Sequence, residues 1–238
     1  MLMPVPSNPV LVRNRILLML ARTEYRQLHP NLEQVALHAD AVLYAPGDLV
    51  KYIYFPNDAV VSLLIDVDER RTVEVAMEGN EGAVGLGVGL SGARSSNLSI
   101  VRDAGTAMRL DVNALTRCAY ERGRLRGLLH KSVYALAMQI AQSGVCSQFH
   151  SVDARFARWL LMTQDRVGSH KLGATQESIA RLLGVRRSSV TTAASGLHKQ
   201  NVIAYSRGRI EILDQGRLSS ASCSCYGIIK RQYDSFLK

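Results

Sequence analysis

Between Thr175 and Ile203 the chain reads TQESIARLLGVRRSSVTTAASGLHKQNVI, two short amphipathic helical periods joined at a glycine. Thr175 is placed to cap the first helix, which opens with Gln176, and Ile179, Leu182 and Leu183 fall on one face at helical spacing. Gly184 stands where the turn needs a left-handed backbone, a conformation that costs glycine nothing. Val190, Ala193, Ala194 and Leu197 then define the inner face of a second helix. Arg186, Arg187, Ser188, Thr191, Thr192 and Ser195 remain at its leading end and open side. Small and basic groups in that position suit a helix that enters a groove of double-stranded DNA. The same pattern is compatible with a surface helix pair carrying two solvated arginines, so the rest of the chain has to decide.

Charge is the first discriminator. Of the net +9, residues 150 to 238 carry +8, with 14 Lys or Arg against 6 Asp or Glu, whereas residues 1 to 149 are nearly balanced. A basic block coinciding with a helix-turn-helix is the electrostatic footprint of a polyanion partner. The 238 residues, 47% of them hydrophobic, suffice for one large or two ordinary domains with buried cores. The apolar run Ile16 to Ala21 is far shorter than the roughly 20 residues a bilayer span needs. It lacks a signal-peptide cleavage region, so a cytoplasmic protein with no membrane partner is expected. Cys118, Cys146, Cys223 and Cys225 are too few and scattered for a disulfide framework. A single C-x-C pair without a neighbouring His or further Cys reads as ordinary thiols, so neither a metal site nor a cofactor is expected.

Along the chain, three prolines make residues 1 to 12 an irregular arm, and Asn14 to Val35 reads as short helices, with LLMLA and LEQV separated by His29, Pro30 and Asn31. From His38 to Val112 the texture changes to brief apolar runs between turn formers: AVLYA, KYIYF, VVSLLIDV, RTVEVAM, NLSIVRD and AMRLD. So many short antiparallel strands close into a barrel or sandwich. Gly79 to Gly92 is too glycine-rich for a strand and must bring backbone close to a ligand or to packed side chains. A long helical period from Leu115 to Phe149 follows, with Leu125, Leu129, Val133, Leu136, Ile140 and Gly144 on one stripe. Such a helix offers more apolar surface than a small barrel covers, and a second copy of itself is the natural cover, giving a two-fold homodimer; packing wholly on its own domain is the alternative. His150 to Val167 is amphipathic, with Phe156, Trp159, Leu160 and Met162 inward and Arg155 and Arg158 outward. Gly168 to Gly173 reads as a loop and the tail after Arg217 as one short helix. The expected units are residues 1 to 114, 115 to 149 and 150 to 238.

Directly after the helix pair, VIAY and RIEIL flank Ser206-Arg207-Gly208 as a hairpin whose tip carries Arg207 and Arg209. A helix-turn-helix followed by a basic wing is far more specific than either part alone. In this order the leading helices, barrel, glycine-rich turn, long helix and winged helix-turn-helix resemble the Crp/Fnr family of bacterial transcription regulators. The resemblance covers nearly the whole chain and is most specific in RFARWLLMTQDRVG, TQESIARLLGVRRSSV and YSRGRIEILD. The closing CSCY resembles a tail common in one proteobacterial branch.

The resemblance implies an α+β chain. It would have a cyclic-nucleotide-binding-like antiparallel β-barrel of jelly-roll type, a dimerisation helix and a carboxy-terminal winged helix-turn-helix. The homodimer would bind a near-palindromic site and act on initiation by RNA polymerase. Arg187 matches the family's arginine that reads guanine, a bidentate contact suited to that base. Ser188 stands where many members carry a glutamate and Thr192 where some carry a second arginine, which implies a different half-site. Arg186, Ser189, Thr191, Arg207 and Arg209 match phosphate contacts, which position without specifying sequence.

In cyclic-nucleotide-binding members a Gly-Glu pair holds the ribose and an Arg-Ser pair the cyclic phosphate. Arg94 and Ser95 match the second pair as candidate effector residues, but the first becomes Ala83 and Val84. Valine leaves the ribose hydroxyls unpaired at about 1 to 3 kcal/mol each, which argues against cyclic AMP and leaves the small-molecule effector unidentified. The amino-terminal cysteines of the family's iron-sulfur members are absent, and His29, His38, His130 and His150 read as plain polar or capping residues. A competing reading is a small-molecule or thiol-redox sensor that acts mainly through protein contacts and binds DNA only loosely. An enzyme is disfavoured, because no catalytic set or metal spacing is present and Gly79 to Gly92 lacks the Lys-Ser or Lys-Thr end of a phosphate loop.

Overall fold

The computed structural model describes residues 12–68, 71–121, 123–206 and 208–236. The expected amino-terminal arm lies, but for its last residue, outside the described residues. Helix α1 (Arg15–Leu18) starts at Asn14, whose side chain accepts from the Ile16 and Leu17 N–H groups. The same fully buried amide donates to Pro56 O at 3.1 Å and Gly82 O at 2.9 Å, fixing this short helix to the strands that follow. Helix α2 (Arg22–Leu28) ends in a 3-10 turn (His29–Asn31).

LEQV is not helical. It opens β1 (Leu32–Leu37), paired antiparallel to β7 (Gly105–Asp111) from Leu32 opposite Leu110 to Leu37 opposite Gly105. Leu32 and Val35 satisfy a helical period, but Val35 and Leu37 satisfy a two-residue period as well. The free edge of β7 decided between them. The other strands fall where expected: β2 (Val42–Tyr44), β3 (Tyr52–Pro56), β4 (Val60–Asp68), β5 (Arg71–Glu78) and β6 (Leu98–Asp103). They form two sheets, β1-β7-β3 and β2-β6-β4-β5, around one core that includes Val35, Ile53, Phe55, Val61, Val101 and Leu110. The result is a two-sheet sandwich of the expected antiparallel class.

The glycine-rich run contains helix α3 (Leu86–Ser91) and is explained by packing at Gly79. A Cβ there would lie 2.8 Å from Cβ and Cγ of Arg166, so only glycine lets that side chain pass. Helix α4 (Val112–Glu121) is followed by α5 (Gly123–Phe149), a span of about 40 Å. Leu125 and Leu129 are buried by the chain's own domain, Val133 and Leu136 are half-buried, and Ile140 and Gly144 are exposed. Tyr134, Met138, Val145 and Phe149 form a further exposed apolar line at spacings near four and seven.

Helix α6 (Val152–Val167) buries Phe156, Trp159, Leu160 and Met162. Arg158 does not face outward but is 8% exposed, and Arg155 is half-buried with a guanidinium N–H on Leu183 O. These guanidinium groups extend over the seam between α6 and its neighbours, which helical period alone does not reveal. The segment expected to be a loop includes β8 (Lys171–Gly173), and the tail forms two helices, α9 (Gln215–Ala221) and α10 (Cys225–Phe236). Helix α10 returns to pack on α5 and α6.

Arg166 ties these layers together. It is 6% exposed, pairs with Glu81 at 2.7 Å, and donates to Gln139 Oε1 and Met162 O, each at 2.9 Å. Gln139 in turn donates to Met77 O at 2.9 Å, and the Tyr233 ring lies beside the guanidinium. Arg166→Met leaves Glu81 buried without its cation. It should lower unfolding free energy by about 3–5 kcal/mol in equilibrium denaturation.

Nearby Glu78 is fully buried. Desolvation, then the Glu81 charge, push its carboxyl up to about 7 despite the Ala83 N–H bond and Arg166. A carboxyl raised in the folded state contributes stability that is complete below its unfolded pKa and lost as pH rises through 7. The shift is worth on the order of 3 kcal/mol. Glu78→Gln should therefore flatten the fall in stability between about pH 4.5 and 8. Denaturation curves of the two proteins across that range provide the comparison.

Candidate nucleic-acid interface

Helix α7 (Gln176–Leu183) starts as its sequence dictates. Thr175 Oγ1 accepts from Ser178 N–H at 3.1 Å, and the Ser178 hydroxyl reciprocates at the Thr175 backbone. Ile179, Leu182 and Leu183 are buried. Gly184 closes the helix at φ 64°, its N–H returning to the Ala180 and Arg181 carbonyls. A Cβ there would also meet Val73 of β5 at 3.1 Å, so the turn lies against the sandwich.

Helix α8 (Arg187–Lys199) buries Val190, Ala193, Ala194 and Leu197 and leaves Arg186, Arg187, Ser188, Thr191 and Thr192 exposed, with Ser189 half-buried. Arg186 occupies the cap position without placing a side-chain acceptor on the first-turn N–H groups. These donors, the positive end of the helix and two exposed guanidinium groups converge on one surface suited to phosphate and base edges. Arg187 Nε lies 3.8 Å from Glu177 Oε2, both side chains more than half exposed, a pair weak enough for a ligand to displace. Thr191 donates to Gln176 Oε1 at 2.7 Å, locking the start of α7 to the middle of α8, a link that sequence spacing does not reveal. Thr192 donates to Ser188 O at 3.1 Å.

The hairpin is β9 (Ile203–Ser206) and β10 (Arg209–Ile212), with β8 on the far side of β10. Gly208 O accepts from Ala174 N at 2.9 Å, anchoring the wing tip beside the cap of α7. Arg209 is exposed there, while Arg207 lies outside the described residues. On the sandwich, Arg94 is exposed and donates to Gly47 O at 2.8 Å, and the buried Ser95 donates to Asn97 O at 2.8 Å. Ala83 and Val84 are buried, and Val84 bonds Tyr54 through its backbone in both directions.

The cysteines are not scattered. Cys146, His150, Cys223 and Cys225 meet where α5, α6 and α10 converge, their donor atoms all within 4.8 Å of one another. Only half of this group is adjacent in sequence; the signal that could have found the rest is the C-x3-H spacing of Cys146 and His150 at the end of α5, 73 residues before the C-x-C pair. Cys223 is pulled below the ordinary thiol range, chiefly by the hydrogen bond from Cys146, whose own thiol is pushed up. Cys118 stands apart, half-buried.

Residues 154–221 match the family model of the Crp-like helix-turn-helix domain. No significant match was found among curated proteins. Among solved structures, the chain is similar to FixK2 of Bradyrhizobium japonicum, with 16% identity over 81% of this chain and 98% of that one and a TM-score of 0.70. A Crp/Fnr-family transcriptional regulator of Thermus thermophilus gives 18% identity, 80% and 98% coverage and a TM-score of 0.66. The c-di-GMP-responsive global regulator CLP of Xanthomonas campestris gives 13%, 81% and 99%, and 0.65. Among the described residues no helix is long and apolar enough to cross a membrane. Residues 154–221 thus form a Crp-like helix-turn-helix domain, and with a sandwich and a long helix ahead of it the chain has the fold of these regulators.

Proposed function

We propose that the protein is a homodimeric, sequence-specific DNA-binding regulator of transcription. The observation that carries this reading is the leading end of α8, where Arg186, Arg187 and Ser188 stand exposed at an open helix N-terminus beside a wing. Arg187 reads a guanine. Arg186, Ser189, Thr191, Arg207 and Arg209 hold phosphates, while Ser188 and Thr192 set the rest of the half-site. The Tyr134, Met138, Val145 and Phe149 line, with Ile140 and Gly144, supports pairing of α5 with its copy, which spaces two recognition helices for a near-palindromic duplex. RNA polymerase is the partner through which binding acts. The sandwich does not take cyclic AMP, since Val84 offers the ribose hydroxyls no acceptor; Arg94 is the group that would meet a different small anion.

Selection of bound duplexes from a random pool should enrich one palindromic motif, and enrichment of none would end the sequence-specific reading. Arg187→Ala should cost about 1–3 kcal/mol and relax base choice at one position of each half-site. Arg186→Ala should weaken all duplexes alike and reduce the salt slope by about one for each phosphate that is no longer neutralised. Val145→Glu places a charge on the apolar line of α5 and should yield a monomer in sedimentation, with loss of palindrome binding.

A further inference from the structure

Cys146 sits in the last turn of α5, His150 directly after it, Cys223 in the link between α9 and α10, and Cys225 at the first position of α10. Cys146 and Cys225 are fully buried, Cys223 is 7% exposed and His150 is half-buried. Cys146 Sγ lies 3.4 Å from Cys223 Sγ, and Cys225 Sγ lies 3.5 Å from His150 Nδ1. A disulfide would require about 2.05 Å between sulfurs. Sulfurs bound to one tetrahedral zinc at about 2.3 Å stand about 3.8 Å apart, and a sulfur and an imidazole nitrogen slightly closer. The two measured separations are thus close to edges of a zinc tetrahedron, and the remaining ones stay within 4.8 Å. A two-iron cluster divides its ligands between two metal centres and needs a wider cage than this.

The surroundings point the same way. Three thiolates and one imidazole around a divalent ion leave one negative charge in a buried site. Arg158 of α6 is close enough to Cys146 and Cys223 to act on both electrostatically, and its Nε and Nη1 have no hydrogen-bond partner among the described residues. A buried guanidinium so placed, which also faces the buried Glu74 carboxylate, can balance an anionic metal centre. Gln142 Nε2 lies 3.0 Å from Cys225 Sγ, and the Cys225 backbone N–H donates to Cys223 Sγ. Sulfur-directed donors of this kind orient thiolate ligands and disperse their charge.

We propose that Cys146, His150, Cys223 and Cys225 bind a single zinc ion in a closed tetrahedral Cys3His site. The ion joins the end of the long helix to the carboxy-terminal tail, 77 residues on from Cys146 to Cys223. It brackets the joint between α5 and α6, the only covalent link from the sandwich and long helix to the helix-turn-helix. With zinc bound, α10 is held on α5 and α6, keeping Tyr226 and Lys230 on Asp165 and Tyr233 beside Arg166. The role is structural, since all four positions are filled by protein and none is left for substrate.

Elemental analysis of the full-length protein, purified under reducing conditions without chelator, tests this directly. About one zinc per chain is expected, released by a mercurial reagent in step with three thiols. Cobalt exchanged into the site should show thiolate charge-transfer and intense tetrahedral ligand-field bands. The Cys223→Ser/Cys225→Ser double variant should lose at least nine-tenths of the metal, and Cys118→Ser none. Should the double variant fail to fold, the wild-type stoichiometry and mercurial titration decide alone. Chains that stay metal-free after zinc supplementation, a Cys146–Cys223 disulfide in the reduced preparation, or iron with acid-labile sulfide would each overturn the proposal.

Discussion

The buried Arg166 guanidinium is the point on which the arrangement of the molecule depends. It belongs to α6, with which the Crp-like helix-turn-helix domain opens, yet its partners are Glu81 of the sandwich and Gln139 of the long helix. A charge removed from water at this depth is tolerated only with an opposite charge and satisfied donors around it. One side chain therefore contacts the sandwich, the long helix and α6 at once. Glycine at position 79 is a steric condition of that arrangement, since any side chain there would collide with the stem of Arg166.

The helix-turn-helix is joined to the sandwich through a second contact. The turn at Gly184 rests on Val73, and Trp159 Nε1 donates to Glu74 at 3.1 Å, while Ser62 holds the other oxygen of that carboxylate at 2.5 Å. Helix α7 is thus covered by β5 on one side while α8 keeps its polar face in solvent. Any rearrangement of β5 moves against α7, and the helix pair cannot turn as a body without exchanging these contacts.

The tail adds a third tie. Helix α10 carries Asp234 to Arg15, and Lys230 and Tyr226 to Asp165, besides closing the thiol and imidazole cluster with its first residue. The exposed ion pairs contribute little individually. The cluster is different, because it is buried and its donors come from segments that no local interaction holds together.

Much of the chain is legible in order. Alternating apolar residues place the later strands, and the cap at Thr175, the left-handed glycine at 184 and the inner face of α8 identify the helix pair, because these signals are local and short-ranged. LEQV misleads because its apolar spacing satisfies both periods, and the free edge of β7, over seventy residues away, makes it a strand. Helical phase assigns Arg158 to solvent, but a long side chain reaches a buried seam from a position phase marks as outer. The cysteines look scattered because Cys146 and His150 meet Cys223 and Cys225 only after the tail folds back. The sequence by itself determined the later strands, the helix pair and the exposed face of α8, since capping, period and backbone freedom are properties of neighbouring residues. Tertiary structure alone decided the Arg166 junction and the four-ligand cluster, because both depend on burial and on donors far apart in the chain.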